Sequence, residues 1–186
     1  MHKSTKFLIF ENIIIIFIGL LFIPISMGHN IPLPLPYLWH KWLHILGVLI
    51  FLGNIIITGI WMFAIEKSKN ENFIKFAVIF VNWADVIFTG PGIILLFVNG
   101  ILLSQSFGGL KTEHWIQVAV GLFILSGLIW NIFLIPIQNK LAIIAEDQSP
   151  LNSDFFHYLK KWYLWGVIAT VIPLLTMVLM VVKPII

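Results

Sequence analysis

Residues 37–65, YLWHKWLHILGVLIFLGNIIITGIWMFAI, form an apolar run in which Lys41 is the only charged side chain. A helix that crosses a bilayer needs about 20 mostly apolar residues, so this run is long enough to be one. The rest of the chain has the same character, since 60% of its 186 residues are hydrophobic and 10% are charged. A soluble domain carries about 25% charged residues. The sequence therefore predicts an integral membrane protein.

Four further stretches are long and apolar enough to cross the membrane. The first of the five spans could be read as a secretory signal, but its apolar run exceeds the ~7–15 residues of a signal core. We therefore expect a retained helix within residues 1–36, a four-helix core over 37–186, and a single all-α polytopic bundle. A short interfacial helix is expected within 141–161. The predicted spans are Phe7–Met27, Tyr37–Ile65, Ile74–Leu103, Trp115–Ile135 and Trp162–Val182.

The lysines are distributed unevenly between the two ends of this bundle. Because cytoplasmic loops are enriched in lysine, the bias predicts a bacterial inner-membrane protein with its N-terminus in the cytoplasm and its C-terminus outside. The lysines predicted to be cytoplasmic are Lys3, Lys6, Lys67, Lys69, Lys75, Lys140, Lys160 and Lys161. Those predicted to be outside are Lys41, Lys111 and Lys183.

Two classes of function are excluded by composition. The chain has no cysteine, which excludes disulfides, thiolate metal sites and cysteine catalysis. It also has no basic patch, because its lysines are scattered between apolar runs, and this argues against nucleic-acid binding. The partner that the composition does predict is the lipid bilayer.

Polar residues recur on one face of three predicted spans. Residues three or four apart share a helix face, and lipid offers a polar side chain no partner. We therefore expect these faces to meet inside the bundle as a polar seam. The three stripes are His40, His44, Gly47, Phe51, Asn54 and Thr58; Asn82, Asp85, Thr89, Gly92 and Asn99; and His114, Gln117, Gly121, Leu128 and Asn131.

Four histidines lie at the predicted outer end, and His44 is the deepest, about 10 Å into its helix. Neutral imidazole binds iron or copper, and haem is often held between helices by histidine. Two interpretations stay open: interfacial histidines that hydrogen-bond to neighbouring helices, or a cofactor site. In the second, His44 ligates haem iron or copper, and His40 or His114 is the second ligand. The fourth, His29, precedes the second span.

Asp85 is a carboxylate predicted near the middle of the membrane, where a charge is costly and usually functional. It either ties Asn82, Asn54 or Asn131 together by hydrogen bonds, or relays a proton or cation. The TGPG stretch at 89–92 is expected to break or kink the helix, because Pro91 has no N–H and clashes with the preceding turn. Glu11, near the inner end of the first span, is expected to pair with Lys3 or Lys6.

Three segments, KWLHILGVLIFLGN (41–54), WADVIFTGPGIILLFVNG (83–100) and SGLIWNIFLIPIQNKL (126–141), resemble an uncharacterised bacterial family of integral membrane proteins, DUF2269. They are more distantly similar to HemJ-type protoporphyrinogen oxidases and to CopD-type copper-resistance membrane proteins. The resemblance implies that His44 is a haem-linked histidine. The oxidases also carry a lysine in a later core helix, and the predicted spans 115–135 and 162–182 contain none, so the resemblance implies haem b binding rather than the oxidase reaction.

The sequence thus favours a multi-pass membrane protein that binds haem b and is associated with redox chemistry. A second hypothesis is a small cation or copper transporter, in which the outer histidines receive the cation and Asp85 relays it. A third is a cofactor-free accessory protein that packs against other membrane subunits or forms a homo-oligomer. Whether the protein is an enzyme is left open.

Overall fold

A computed structural model describes residues 1–28, 32–147 and 149–184, among which no strand occurs. Five helical stretches are long and apolar enough to cross a membrane, which confirms the predicted all-α polytopic bundle. His29 lies outside the described residues. The α-helices are α1 (Lys3–Gly28), α2 (Tyr37–Lys67), α3 (Glu71–Ala84), α4 (Gly90–Ser104), α5 (His114–Ile129), α6 (Ile135–Glu146) and α7 (Ser153–Val182).

Short polar segments determine where several of these helices begin. The Asn70 side chain accepts from the backbone N–H of Asn72 and Phe73, at 3.1 and 3.3 Å, and so caps α3. Asn152 caps α7 in the same way, accepting from the N–H of Phe155 at 3.0 Å. Such caps satisfy backbone donors that have no partner within the helix. These caps fix the residues at which α3 and α7 begin.

Successive spans run in opposite directions and gather the polar loops at two ends. At the end that we call lysine-rich, Lys75 Nζ donates to the carbonyl oxygens of Asp147 and Ser149 at 2.7 and 2.6 Å. At the other, lysine-poor end, the Lys183 ammonium lies 4.5 Å from the centroid of the Phe107 ring. The N-terminus lies at the lysine-rich end, where the ring of His2 is 3.0 Å from a carboxylate oxygen of Glu146.

Two spans contain a π-helical turn directly before a proline. The turn Asp85–Thr89 joins α3 to α4 just before Pro91, and Trp130–Leu134 joins α5 to α6 just before Pro136. A π turn holds one extra residue, which moves the preceding carbonyls away from the proline ring. The third span therefore continues through TGPG and is not broken there.

The fourth span is longer than the sequence predicts. It was expected to end at Ile135, with an interfacial helix within 141–161, but α6 continues the span to Glu146 and α7 begins at Ser153. The prediction of an interfacial helix is wrong. The π turn accommodates Pro136, so the fourth span does not end there. Residues of α6 consequently lie inside the bundle.

The helices pack closely in some places and separate in others. At the lysine-rich end α3 packs against α6, whereas at the lysine-poor end α4 packs on α2 and α5 packs on α7. There, α4 and α5 do not pack along their length, although the stacked rings of Phe97 and Phe123 bridge them with centroids 5.9 Å apart. α1 packs against α4, and Leu8 is fully buried. A cleft is left between the two helix pairs.

Candidate functional site

A cluster of polar side chains surrounds Asp85, which begins the first π turn and is only 4% exposed. Asn54 Nδ2 and Thr89 Oγ1 donate to Asp85 Oδ1 at 3.0 and 2.8 Å, and Gln138 Nε2 donates to Oδ2 at 2.7 Å. We call these four residues the Asp85 cluster. Each donor is neutral, and no ion pair to Asp85 occurs among the described residues. The carboxylate is therefore hydrogen-bonded but has no ion-pair partner among the described residues.

Only part of the predicted seam joins this cluster. Asn54 and Thr89 lie beside Asp85, as the stripes predict. Asn82 is buried, but its amide donates to the carbonyl of Val78 at 2.9 Å and not to Asp85. Asn131 donates to Asn12 on α1 at 2.9 Å. Of the three asparagines predicted to bond to Asp85, therefore, Asn54 does so, whereas Asn82 and Asn131 bond elsewhere.

The stripe predicted on the fourth span is wrong over α5. His114 and Gln117 are both exposed, and Gln117 donates to the Lys111 carbonyl in the preceding loop at 3.1 Å. The prediction used a uniform helical period, whereas the π turn at 130–134 rotates α6 relative to α5. Asn131, within that turn, and Gln138, after it, face the interior.

Gln138 and Glu11 are the functional candidates that sequence reasoning missed. Gln138 was missed because Pro136 was taken as the end of the span, although it follows that proline by two positions in a still apolar stretch. Glu11 was expected to pair with Lys3 or Lys6, but both lysines are exposed and form no ion pair with it.

Glu11 instead lies close to the Asp85 cluster. A Cβ at Gly90 would collide with the Glu11 carboxylate, so the glycine is what leaves room for it. Gly90 directly follows the π turn that Asp85 begins, and Oε2 of Glu11 is buried without a hydrogen-bond partner. Two carboxylates from different spans therefore lie near each other within the membrane.

The cleft between the helix pairs forms a chamber of about 1050 Å³. All five spans contribute to its mostly apolar wall, and Asp85 is the only charged residue among the described residues that line it. Drug-sized ligands occupy pockets of about 300–1,000 Å³ with a few convergent polar groups. The polar residues of the wall are Asn12, Thr58, Asp85, Thr89, Ser126, Asn131, Gln138, Tyr163 and Thr170.

The two histidines of α2 lie in a separate place, at the close crossing of α2 and α4. His40 uses both ring nitrogens, because Nε2 accepts from the Leu35 N–H at 3.3 Å and Nδ1 lies 2.7 Å from Asn99 Oδ1. His44 Nδ1 lies 2.6 Å from the Leu96 carbonyl oxygen, which can only accept. His44 therefore carries its proton on Nδ1 and has a lone pair on Nε2.

These positions limit the metal chemistry that the histidines can support. No hydrogen bond or ring contact connects His114 to His44, and neither residue lines the chamber. The described part of the chain has no group of three or more His, Asp or Glu side chains that could hold a metal ion. His44 keeps Nε2 as a free ring nitrogen, whereas both ring nitrogens of His40 are engaged, so the residues do not fit ligation of one metal by His44 together with His40.

Comparisons with known proteins agree with the resemblance in part. A family model described as "Predicted integral membrane protein (DUF2269)" matches residues 38–184. No curated protein and no solved structure matches the chain, so the similarity to HemJ-type and CopD-type proteins is not shown. The matched region covers α2 to α7 and thus includes both the histidines and Asp85. The chain therefore belongs to the DUF2269 family of integral membrane proteins.

Proposed function

We propose that this membrane protein binds a lipophilic cation in the chamber, with Asp85 as the residue that contacts its charge. The observation that carries the proposal is the carboxylate of Asp85, which is hydrogen-bonded only to neutral groups and is the single charged side chain of the described chamber wall. A buried charge without a counterion is unfavourable, and a cationic ligand would supply one. The apolar wall would hold the rest of the molecule.

The chamber also has access to the bilayer, from which a lipophilic ligand would enter. Ile16, Leu20 and Val167 line it and are exposed, so the chamber is open at these apolar residues of α1 and α7. Hydrophobic association with such a wall scales with the apolar area removed from water, about 25 cal/mol per Å². Size, charge and access thus favour a ligand that partitions into the membrane.

This is the form of cation transport that the geometry favours. Relay of a bare metal ion from the outer histidines fits less well, because both nitrogens of His40 are occupied and neither His40 nor His44 lines the chamber. Asp85 keeps the role of a cation contact, which its predicted position near the middle of the membrane suggests. Transport would follow if the ligand were released at the opposite side of the membrane.

Tetraphenylphosphonium is a suitable probe for the chamber. We expect the purified protein in detergent to bind it saturably, with quenching of Trp130 and Trp162 fluorescence, since both line the chamber. Asp85→Asn should weaken binding at least 10-fold, which corresponds to about 1.4 kcal/mol. Asp154→Asn is the matched control, because Asp154 is exposed in the first turn of α7.

Two results would contradict the proposal. One is the absence of saturable tetraphenylphosphonium binding, with phospholipid as the only bound molecule. The other is equal affinity for triphenylphosphine oxide, a neutral molecule of similar shape, which would mean that the charge of Asp85 plays no part. Flux of the probe in proteoliposomes then distinguishes a transporter from a binding protein.

A second candidate function, haem b binding with a redox-associated role, is supported by one observation at His44. Its Nδ1–H is held by the Leu96 carbonyl at 2.6 Å, and histidines that ligate metals usually donate their other nitrogen in this way. When bound, the haem would supply the redox chemistry, while His44 would hold it through Nε2. Copper is the alternative occupant of the same nitrogen.

An absorption spectrum tests this second candidate. Protein expressed with ample haem should show a Soret band that is lost in His44→Ala and kept in His114→Ala. His114 is the control because it is exposed and makes no contact with His44. Colourless wild-type protein would remove the haem proposal, and copper binding would then be measured by elemental analysis.

We also propose that the lysine-rich end is cytoplasmic, as in a bacterial inner-membrane protein. The natural absence of cysteine permits a direct test with single introduced cysteines. Ser149→Cys should be protected from a membrane-impermeant maleimide in intact cells, and Lys111→Cys should react. The reverse pattern would invert the orientation.

A further inference from the structure

We propose that Glu11, Asp85 and Gln138 bind a small monovalent cation of the Na⁺ type through oxygen atoms, beside the chamber. Asp85 and Gln138 line the chamber, whereas Glu11 lies outside its wall, so the site would occupy the α1 side of Asp85. The inference rests on the proposed function in one respect, since both place a positive charge next to Asp85. Glu11 is the residue that distinguishes the two sites, because Asp85, Gln138 and Thr89 all line the chamber as well.

The first argument is a surplus of acceptor oxygens. Gln138 is only 3% exposed, and while its Nε2 donates to Asp85, its Oε1 is buried without a partner. Oε2 of Glu11 is buried without a partner as well. Buried polar atoms are almost always paired, so orphan atoms require an explanation. A cation pairs with the lone pairs of several such oxygens at once, whereas one proton satisfies only two of them.

The second argument is charge. The Glu11 carboxylate lies against Gly90, the residue directly after the π turn that Asp85 begins, and among the described residues neither carboxylate forms an ion pair with a lysine or histidine. Two ionised carboxylates within a membrane are strongly unfavourable unless cations or protons neutralise them. One inorganic cation on the Glu11 side and one ligand cation on the chamber side would balance both charges.

The ligand set indicates a monovalent ion. It offers two carboxylates, the Gln138 amide oxygen and the Thr89 hydroxyl, all of them hard oxygen ligands. Ca²⁺ takes six to eight oxygen ligands, and Mg²⁺ keeps several waters in an octahedral shell. The closely packed surroundings of Gly90, where the Glu11 carboxylate fills the space of a missing Cβ, leave little room for a hydrated ion.

Binding of ²²Na⁺ to the full-length protein in detergent tests the proposal. We expect saturable binding of one ion per chain, competed by NaCl and not by N-methyl-D-glucamine chloride at equal ionic strength. Glu11→Gln should weaken it at least 10-fold, and Asp154→Asn should leave it unchanged. Gly90→Ala provides a steric test that keeps both carboxylates, because its methyl group would displace Glu11; it should also weaken binding.

The outcomes separate this inference from the proposed function. If wild-type protein binds no ²²Na⁺, or if Glu11→Gln and Gly90→Ala bind it normally, the cation site is refuted. Neither result refutes the proposed function, which is tested separately by tetraphenylphosphonium binding. Competition by Ca²⁺ at much lower concentrations than Na⁺ would contradict the monovalent assignment. Tetraphenylphosphonium binding in Glu11→Gln, whose side chain does not line the chamber, reports that the variant is folded.

Discussion

The α2–α4 crossing and the Asp85 cluster differ in how completely their buried polar groups are hydrogen-bonded. At the crossing, His40 and Asn99 pair with each other, and their remaining groups bond to backbone atoms. At Asp85, neutral donors surround a charge, and the neighbouring Gln138 keeps an unpaired oxygen. Fully paired groups stabilise a helix interface, whereas incompletely satisfied groups beside a large chamber point to a ligand. The difference distinguishes a structural polar contact from a candidate binding site.

The close approach of the helices at the crossing is the feature whose loss should have the largest effect. A Cβ at Gly47 would overlap the backbone of α4, lying 2.8 Å from the Gly92 carbonyl oxygen. Overpacking of this kind costs typically 1–3 kcal/mol, so Gly47→Ala should lower the free energy of unfolding by about 3 kcal/mol. Reversible unfolding in mixed micelles of detergent and SDS measures the change.

The control for this substitution lies on the chamber side. Gly59 lines the chamber, and no atom lies within 4 Å of a Cβ built there. Gly59→Ala should therefore be neutral or stabilise the protein by up to about 1 kcal/mol, since alanine favours helix. Equal destabilisation by both substitutions would mean that the two regions are packed alike.

Removal of a paired polar group should have an intermediate effect. Asn99→Leu leaves His40 Nδ1 without its acceptor at 2.7 Å, in a site where Asn99 is only 6% exposed. An unsatisfied buried donor costs about 1–3 kcal/mol, so we expect a loss of about 2 kcal/mol in the same unfolding measurement. A double substitution with His40→Leu should recover part of the loss. Additive losses would show that the two side chains do not depend on each other.

Neutralisation of Asp85 should have the smallest effect and the opposite sign. In sodium-free buffer without ligand, Asp85→Asn removes an uncompensated charge and lets Gln138 turn its free Oε1 towards the new amide. We expect the free energy of unfolding to rise by about 1 kcal/mol, as when a poorly compensated buried charge is replaced by a neutral group. A fall of similar size would indicate that Asp85 is structural, like Asn99.

Much of the fold follows from the sequence, and the exceptions have a common origin. The five spans, the helical class and the burial of Asp85 are predictable because apolar length and lipid's lack of hydrogen-bonding groups act locally on each segment. Two features could not be predicted in this way: the extension of the fourth span to Glu146 and the exposure of Gln117. Both depend on the π turn before Pro136, which changes the helical period by one residue.

The candidate site divides in the same way. Sequence patterns place Asn54, Asp85 and Thr89 on faces that can meet, because residues three or four apart share a helix face. They do not indicate that Gln138 completes the cluster or that Glu11 approaches Gly90, because those contacts join spans far apart in the chain. Likewise, the spacing of His40 and His44 shows two imidazoles on one face, but not that only His44 keeps a free nitrogen.

The sequence by itself determined that this integral membrane protein has five stretches long and apolar enough to cross a membrane, one of which carries Asp85 in its interior. Only the tertiary structure decided which polar groups pair, since pairing depends on where helices cross and where they separate. The chamber exists because α2 packs on α4 and α5 packs on α7, while α4 and α5 do not pack along their length. No local pattern specifies that separation, because it is a balance among contacts of all five spans.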